Sequence, residues 1–227
     1  MSIEQIIKNR KTQKILANQP WQHSSSREQN HQVINDLLSL VEYAPYYKKC
    51  HKFYSQLEHE MNSCVPWRIY VLDTAKCRDL YNFIEREEIK AGKISNMLAA
   101  ADALFFVNWL PNLSDTNPED FPIENPIQEP FPFAGSEENM DHIASCSAAI
   151  QNILIGATAK NLPNYWSSGG KLREKEIRDY LEIPMREILL GAVFIFPEDS
   201  PERASNIRYG QFRNQGKERS SWSKWLK

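Results

Sequence analysis

Ile3, Ile6 and Ile7 recur at helical spacing over residues 3–9, and Val33, Leu37, Leu38 and Val41 do the same over residues 29–43. Each set places its apolar side chains along one face of a helix. The second helix is expected to stop at Ala44-Pro45, because proline disfavours a helical conformation in the residue before it. Residues 51–61 read as a short extra helix with Phe53, Leu57 and Met61 inward. A longer amphipathic helix follows over residues 75–90. Residues 67–73 (WRIYVLD) alternate and are rich in β-branched and aromatic residues, which predicts a strand. Residues 103–109 (ALFFVNW) and 187–196 (EILLGAVFIF) are continuous apolar runs of strand length and predict buried strands. The strongest helix signal covers residues 140–160, which is rich in Ala, Ser and Ile on nearly every face and so predicts burial all round. A short helix follows over residues 173–182. Helices and strands mix without a regular βαβ alternation, so the expected fold class is α+β, in one domain spanning residues 1–227.

Residues 111–139 break the pattern. They hold Pro111, Pro118, Pro122, Pro126, Pro130 and Pro132, many acids, and no Lys or Arg. Irregular segments of this length are functional lids, wrapping arms or disordered chain, and all three readings stay open here. Residues 49–65 form an inserted segment and residues 198–227 a C-terminal arm.

Composition narrows the class. Of the 227 residues 41% are hydrophobic and 25% charged, which is ordinary for a globular protein. The formal charge of -2 gives no bulk attraction to nucleic acid. The basic C-terminal stretch with Trp222 and Trp225 is read as a solvated or partner-packing tail. The apolar runs are too short and too polar to span a bilayer. Cys50, Cys64, Cys77 and Cys146 form no CxxC pair, and the N-terminus carries no signal-peptide pattern. The expectation is reduced thiols in a cytoplasmic protein. Cys50, His51, His59 and Cys64 offer soft ligands without a standard zinc spacing, so no metal site is assigned.

Three segments carry candidate chemistry. Arg10, Lys11, Thr12 and Lys14 put three cations and a hydroxyl within five residues. That set suits a phosphate, and it equally suits the negative end of the first helix. Ala44-Pro45-Tyr46-Tyr47-Lys48 presents two tyrosines to a planar ring or to the helix end. Asn164-Tyr165-Trp166-Ser167-Ser168-Gly169-Gly170 supplies hydroxyl and amide donors with close backbone approach, or simply a glycine-rich turn between two helices.

In their order along the chain these segments resemble the nitroreductase superfamily. The family's Arg-Arg-Ser-type motif is matched by Arg10-Lys11-Thr12, with Lys14 after it. Its helix ending in Ala-Pro and its Pro-Trp-leading strand are matched by Ala44-Pro45 and Pro66-Trp67-Arg68. Its central helix with a Gln-Asn pair is matched by Gln151-Asn152, and its Trp-x-Ser-Gly-type motif by Trp166-Ser167-Ser168-Gly169. The chain departs from the family in the segment Lys49 to Val65, where Asn62 or Ser63 stands near a usual flavin-holding Asn. It departs again at Phe196, where the family has Gly, and in the glycine-free turn before Trp166.

The resemblance implies an intertwined homodimer with a mixed, mostly antiparallel sheet flanked by helices and FMN at the interface. NADH or NADPH would be the co-substrate, and a nitroaromatic, quinone or enone the acceptor. It assigns Arg10, Lys11, Thr12 and Lys14 to the phosphate and ribityl side, with Arg203 or Arg208 as a late phosphate base. It assigns Tyr46, Tyr47 and Lys48 to one wall of the ring site, and Trp166, Ser167, Ser168 and Gly169 to the other. It names no side-chain catalyst. The same resemblance admits a specialised flavin oxidase or a non-catalytic binding protein built on the flavin fold.

Overall fold

The computed structural model describes residues 2–22, 25–56, 61–112, 135–212 and 222–226. Most of the proline-rich segment, residues 57–60 of the insertion, and residues 213–221 of the arm lie outside them. The order of elements is α1 (Ile3–Asn9), β1 (Gln13–Leu16), α2 (Arg27–Val41), α3 (Lys52–Gln56), β2 (Trp67–Asp73), α4 (Thr74–Arg86), α5 (Lys93–Ala100), β3 (Ala103–Trp109), α6 (Glu137–Ala159), β4 (Asn164–Ser167), α7 (Lys175–Tyr180), β5 (Ile188–Ile195), α8 (Ser200–Arg203) and β6 (Asn206–Tyr209).

Four strands form an antiparallel sheet in the order β2-β3-β5-β4, and β1 pairs antiparallel with β6. A parallel bridge from Thr12 to Asn164 sets β1 beside β4 and joins the two sheets. This agrees with the expected α+β class and mostly antiparallel sheet.

The central strands lack polar alternation because both faces of the sheet are covered. In β3, Leu104 and Phe106 enter a cluster with Leu80, Ile84 and Leu98 from α4 and α5. The alternate residues Phe105, Val107 and Trp109 enter a second cluster with Ile34, Leu37, Ile150 and Ile153 from α2 and α6. Burying one such side chain contributes roughly 1.5–3 kcal/mol, so these two layers hold the fold. The register shifts between Val107 and Asn108, where Gly191 and Leu189 are the partners and Leu190 is the extra residue of a bulge.

Helix starts follow their caps. Ser2 and Ser26 form capping boxes with Gln5 and Gln29, Asp73 accepts from the Lys76 N–H at 2.8 Å, and Ser136 accepts from Asn139 N–H at 3.2 Å. The small residues of α6 serve packing within the chain. A methyl group on Gly156 would lie 2.4 Å from Leu40 Cδ1, so glycine lets α2 approach closely. Asn152 of the Gln-Asn pair donates to the Leu40 carbonyl at 2.9 Å.

Two expectations change. The helix expected over residues 75–90 is α4, which ends at Arg86, and a separate helix that was not expected, α5, follows from Lys93 to Ala100. The sequence pattern hides α5 because its Leu-Ala-Ala end runs straight into the apolar β3. Arg78 holds this junction by donating to the Leu98 carbonyl, to Ala101 O at 2.9 Å and to Trp21 O at 3.1 Å. The apolar stripe of α1, by contrast, is left exposed among the described residues: Ile3 and Ile7 are 64% and 54% exposed. No helix among the described residues is long and apolar enough to cross a membrane.

Candidate functional site

The β1–β6 pair places the first cations. Lys14 is the cross-strand partner of Arg208, so the two side chains share a face. Lys14 Nζ lies 4.4 Å from the centroid of the Tyr165 ring, which in turn packs along Phe194. No carboxylate pairs with Lys14, Lys11 or Arg208 among the described residues. Arg203 is engaged elsewhere: it pairs with Asp199 at 3.3 Å and lies over the Trp21 ring. Of the two late arginines, Arg208 is the one beside the N-terminal cluster.

Strand alternation splits that cluster. Lys11 points to the opposite face from Lys14, with its Nζ 5.4 Å from the Tyr209 ring, and Tyr209 is the partner of Gln13. There Lys11 lines a polar cleft of about 400 Å³ with Gln13, Thr158, Asn161 and Asn164. Thr12 is held by its backbone. It bridges to Asn164, and its carbonyl accepts from Gly210 N–H at 3.3 Å. Arg10 is half-buried at the C-cap of α1, with its N–H donating to Ile6 O at 2.9 Å.

The Trp-Ser-Ser-Gly motif begins on an edge strand rather than in a turn between two helices. Trp166 pairs with Val193 and lies across the next strand: a methyl group on Gly191 would come within 2.0 Å of its Nε1. Ser167 is buried, and its Oγ accepts from Gly169 N–H at 3.2 Å, so this hydroxyl shapes the turn. The Ser168 carbonyl accepts from Arg173 Nε at 2.6 Å. Gly169 has φ +100°, and a side chain there would also strike Leu189.

Tyr46, Tyr47 and Lys48 lie at the other edge of the sheet. Tyr46 packs edge-on against Trp67 at 5.7 Å, and its hydroxyl meets Cys64 Sγ at 3.8 Å. That contact, ahead of burial, raises the Tyr46 pKa. Tyr47 is 83% exposed, with Lys48 Nζ 5.2 Å from its ring. Beside them is an apolar cleft of about 420 Å³ lined by Leu38, Val41, Tyr46, Met61, Val65 and Trp67. From β2 to β4 is three strand spacings, roughly 14 Å, so one chain does not bring its two sets of ring-wall residues together.

Sequence reasoning passed over Tyr209, and gave Asn164 and Tyr165 no role beyond a place in the Trp166 segment. The alternation of Lys11 and Gln13 against Thr12 and Lys14 was the signal that would have separated the two faces.

No family model and no curated sequence matches this chain. Solved structures do. A nitroreductase-like family protein from Bacillus cereus superposes with a TM-score of 0.56 at 16% identity, covering 100% of this chain and 96% of that one. A nitroreductase family protein from Clostridium novyi NT gives 0.54 at 19% identity over 88% of each chain. The chain has the nitroreductase-like fold. A third structure of this fold, a protein described as a nitroreductase from Desulfovibrio desulfuricans in complex with FMN, gives 0.50 at 16% identity over 93% of each chain.

Within this nitroreductase-like fold the donor set of β1 and β6 fits the phosphate end of FMN. Lys14 and Arg208 are two cations on one face with no carboxylate between them among the described residues, and a phosphate is the complement of such a pair.

Proposed function

We propose that this protein is an FMN-dependent oxidoreductase that works as a homodimer and takes NADH or NADPH as its electron donor, with a small organic acceptor of the nitroaromatic, quinone or enone class. The observation that carries this reading is the juxtaposition of Lys14 and Arg208 in a chain of nitroreductase-like fold. FMN, when bound, supplies the hydride relay between nicotinamide and acceptor. The chain's own residues bind and orient. Lys14 and Arg208 neutralise the phosphate, with Thr12 and Arg10 next to them in the chain, while Lys11 faces the other side of the strand. Trp166, Ser168 and Gly169 border the ring on the same subunit. Tyr46, Tyr47 and Lys48 reach it from the second copy, because they lie at the far edge of their own sheet. No side chain is assigned acid or base work. Orientation and exclusion of water are the protein's share.

The visible absorption spectrum tests this. Purified protein mixed with excess FMN and passed through a desalting column should keep an oxidised-flavin spectrum that NADH or NADPH bleaches. A colourless eluate would overturn the reading. It would favour instead a non-catalytic protein on the same fold, a reading supported by the Tyr165 ring already seated under Lys14.

The homodimer has its own test. Ile3 and Ile7 form an apolar stripe on α1 that is exposed among the described residues, and a second copy would bury it. Light scattering on the wild type should give twice 26.4 kDa. Ile7→Glu should shift the mass toward a single chain. An unchanged dimer in the variant would remove α1 from the interface.

A further inference from the structure

We propose that Cys50 and Cys64 form an oxidisable pair, which peroxide converts to a disulfide closing the inserted segment on itself. The geometry comes first. Cys50 N–H donates to the Cys64 carbonyl at 2.9 Å. Adding the N–Cα bond at one end and the Cα-to-carbonyl-oxygen span at the other bounds the two Cα atoms at roughly 6.8 Å. Disulfides span about 4.4–6.8 Å between Cα atoms, so the backbone needs little movement. The thiol itself is already turned that way. Cys50 Sγ donates to the carbonyl of Ser63, the residue next to Cys64, at 3.6 Å.

The two thiols have different surroundings. Cys64 is only half-buried and meets the Tyr46 hydroxyl, so a small oxidant reaches it. Cys50 is buried, and desolvation, ahead of the opposing pull of Arg68, pushes its thiol up. Cys64 is therefore the sulfur that meets peroxide, and Cys50 the one that resolves the product. Cys77 and Cys146 sit in the two core clusters on opposite faces of the sheet and have no access to either oxidant or partner.

The chemistry balances with hydrogen peroxide as oxidant. The Cys64 thiolate attacks one peroxide oxygen and the O–O bond breaks, giving a sulfenic acid, while the departing hydroxide takes a proton to become water. Cys50 sulfur then displaces the sulfenic hydroxyl. The S–S bond forms, and the hydroxyl leaves as a second water with the Cys50 proton. Two thiols lose two electrons, and peroxide becomes two waters.

The consequence lies in the apolar cleft beside Trp67. Met61, Ser63 and Val65 form part of its lining, and Arg68 already holds the Ser63 and Val65 carbonyls at 2.9 and 3.1 Å. Forming the disulfide draws Cys64 Sγ away from Tyr46 and ties the start of the insertion to this wall. Oxidation thereby fixes the shape of the cleft. The proposal does not depend on flavin binding.

The test uses the full chain. Protein is treated with one equivalent of hydrogen peroxide, quenched with a maleimide under denaturing conditions, digested and mapped by mass spectrometry. Maleimide-reactive thiols should fall from four to two, the intact mass should fall by two hydrogens, and a peptide linking Cys50 to Cys64 should appear. Dithiothreitol should reverse all three. In Cys50→Ser, Cys64 should instead accumulate added oxygens. In Cys64→Ser, three thiols should survive. The proposal is overturned if wild-type Cys64 gains oxygens while Cys50 stays maleimide-reactive, or if the link involves Cys77, Cys146 or a second chain. A lack of reaction at all overturns it equally.

Discussion

Replacing both Lys14 and Arg208 by alanine is expected to weaken FMN binding about 100-fold. Each side chain would give up a charge-assisted contact to phosphate, and such a contact at a partly solvated site is worth about tenfold in affinity. Because Lys14 and Arg208 face each other across β1 and β6, each single variant should retain part of the affinity, with the remaining cation still on the phosphate. High salt should weaken the wild type more than the double variant, since only the wild type has the charges to screen. Arg203→Ala is the control. Its guanidinium is committed to Asp199 and Trp21, so its Kd should match the wild type. Fluorescence quenching of FMN reads all five proteins. Equal affinity in the double variant and the wild type would remove this face from the phosphate site and leave the Lys11 cleft as the alternative.

The largest stability effect is expected at Arg178. This side chain is 2% exposed, and its Nη2 donates to the Pro184 carbonyl at 2.5 Å and the Glu187 carbonyl at 2.8 Å. Glu187 is itself buried, accepts from Asn108 Nδ2 at 3.2 Å, and is attracted by the Arg178 charge. Arg178→Ala takes a charged donor from both carbonyls, leaving the Pro184 carbonyl with only the Glu187 N–H at 3.2 Å, and removes a cation from near Glu187, a loss of about 3–5 kcal/mol. For a chain of this length that lowers Tm by on the order of 10 °C. Arg178→Lys keeps the charge without the fork and should fall between.

Glu187 adds a pH signature. Burial, against hydrogen bonds from Tyr70 and Asn108 and the nearby Arg68 and Arg186, holds its carboxyl above the ordinary value. The folded state therefore keeps a proton that the unfolded state has lost. Stability falls as pH rises from the ordinary carboxylate value toward the folded one, then levels off. Glu187→Gln should flatten that slope in urea titrations at several pH values, and Arg178→Ala should extend it to higher pH. A slope unchanged by Glu187→Gln would assign it to another group.

The sequence disclosed most where one physical signal dominated. β2 and β3 fall at the residues expected of them, because alternation marks the first and an unbroken apolar run the second. The caps at Ser26 and Ser136 fixed helix starts that apolar periodicity alone placed two or three residues late. α5 was lost because an eight-residue helix with a glycine at its N-cap and no side-chain cap bond carries no start signal of its own. β1 and β6 were missed because four residues, half of them polar, are too few to show a period. β4 was masked by Gly169 and Gly170 immediately after it. The candidate site suffered for the same reason. Its residue types were legible, but facing depends on short strands, and so the split between Lys11 and Lys14 and the pairing with Arg208 were not.

The pairing of β1 with β6 also bears on how the protein is made. Gln13 pairs with Tyr209 and Leu16 with Asn206, so the contact spans almost the full length of the chain. Closing so long a loop is slow, and it comes after the locally connected layers have condensed. On the ribosome, Lys14 waits without its partner strand until the last residues of β6 have emerged. The two packed cores therefore draw on residues that have all emerged while the Lys14–Arg208 pair does not yet exist, and premature termination shortly before Asn206 would release a chain that has never had that pair.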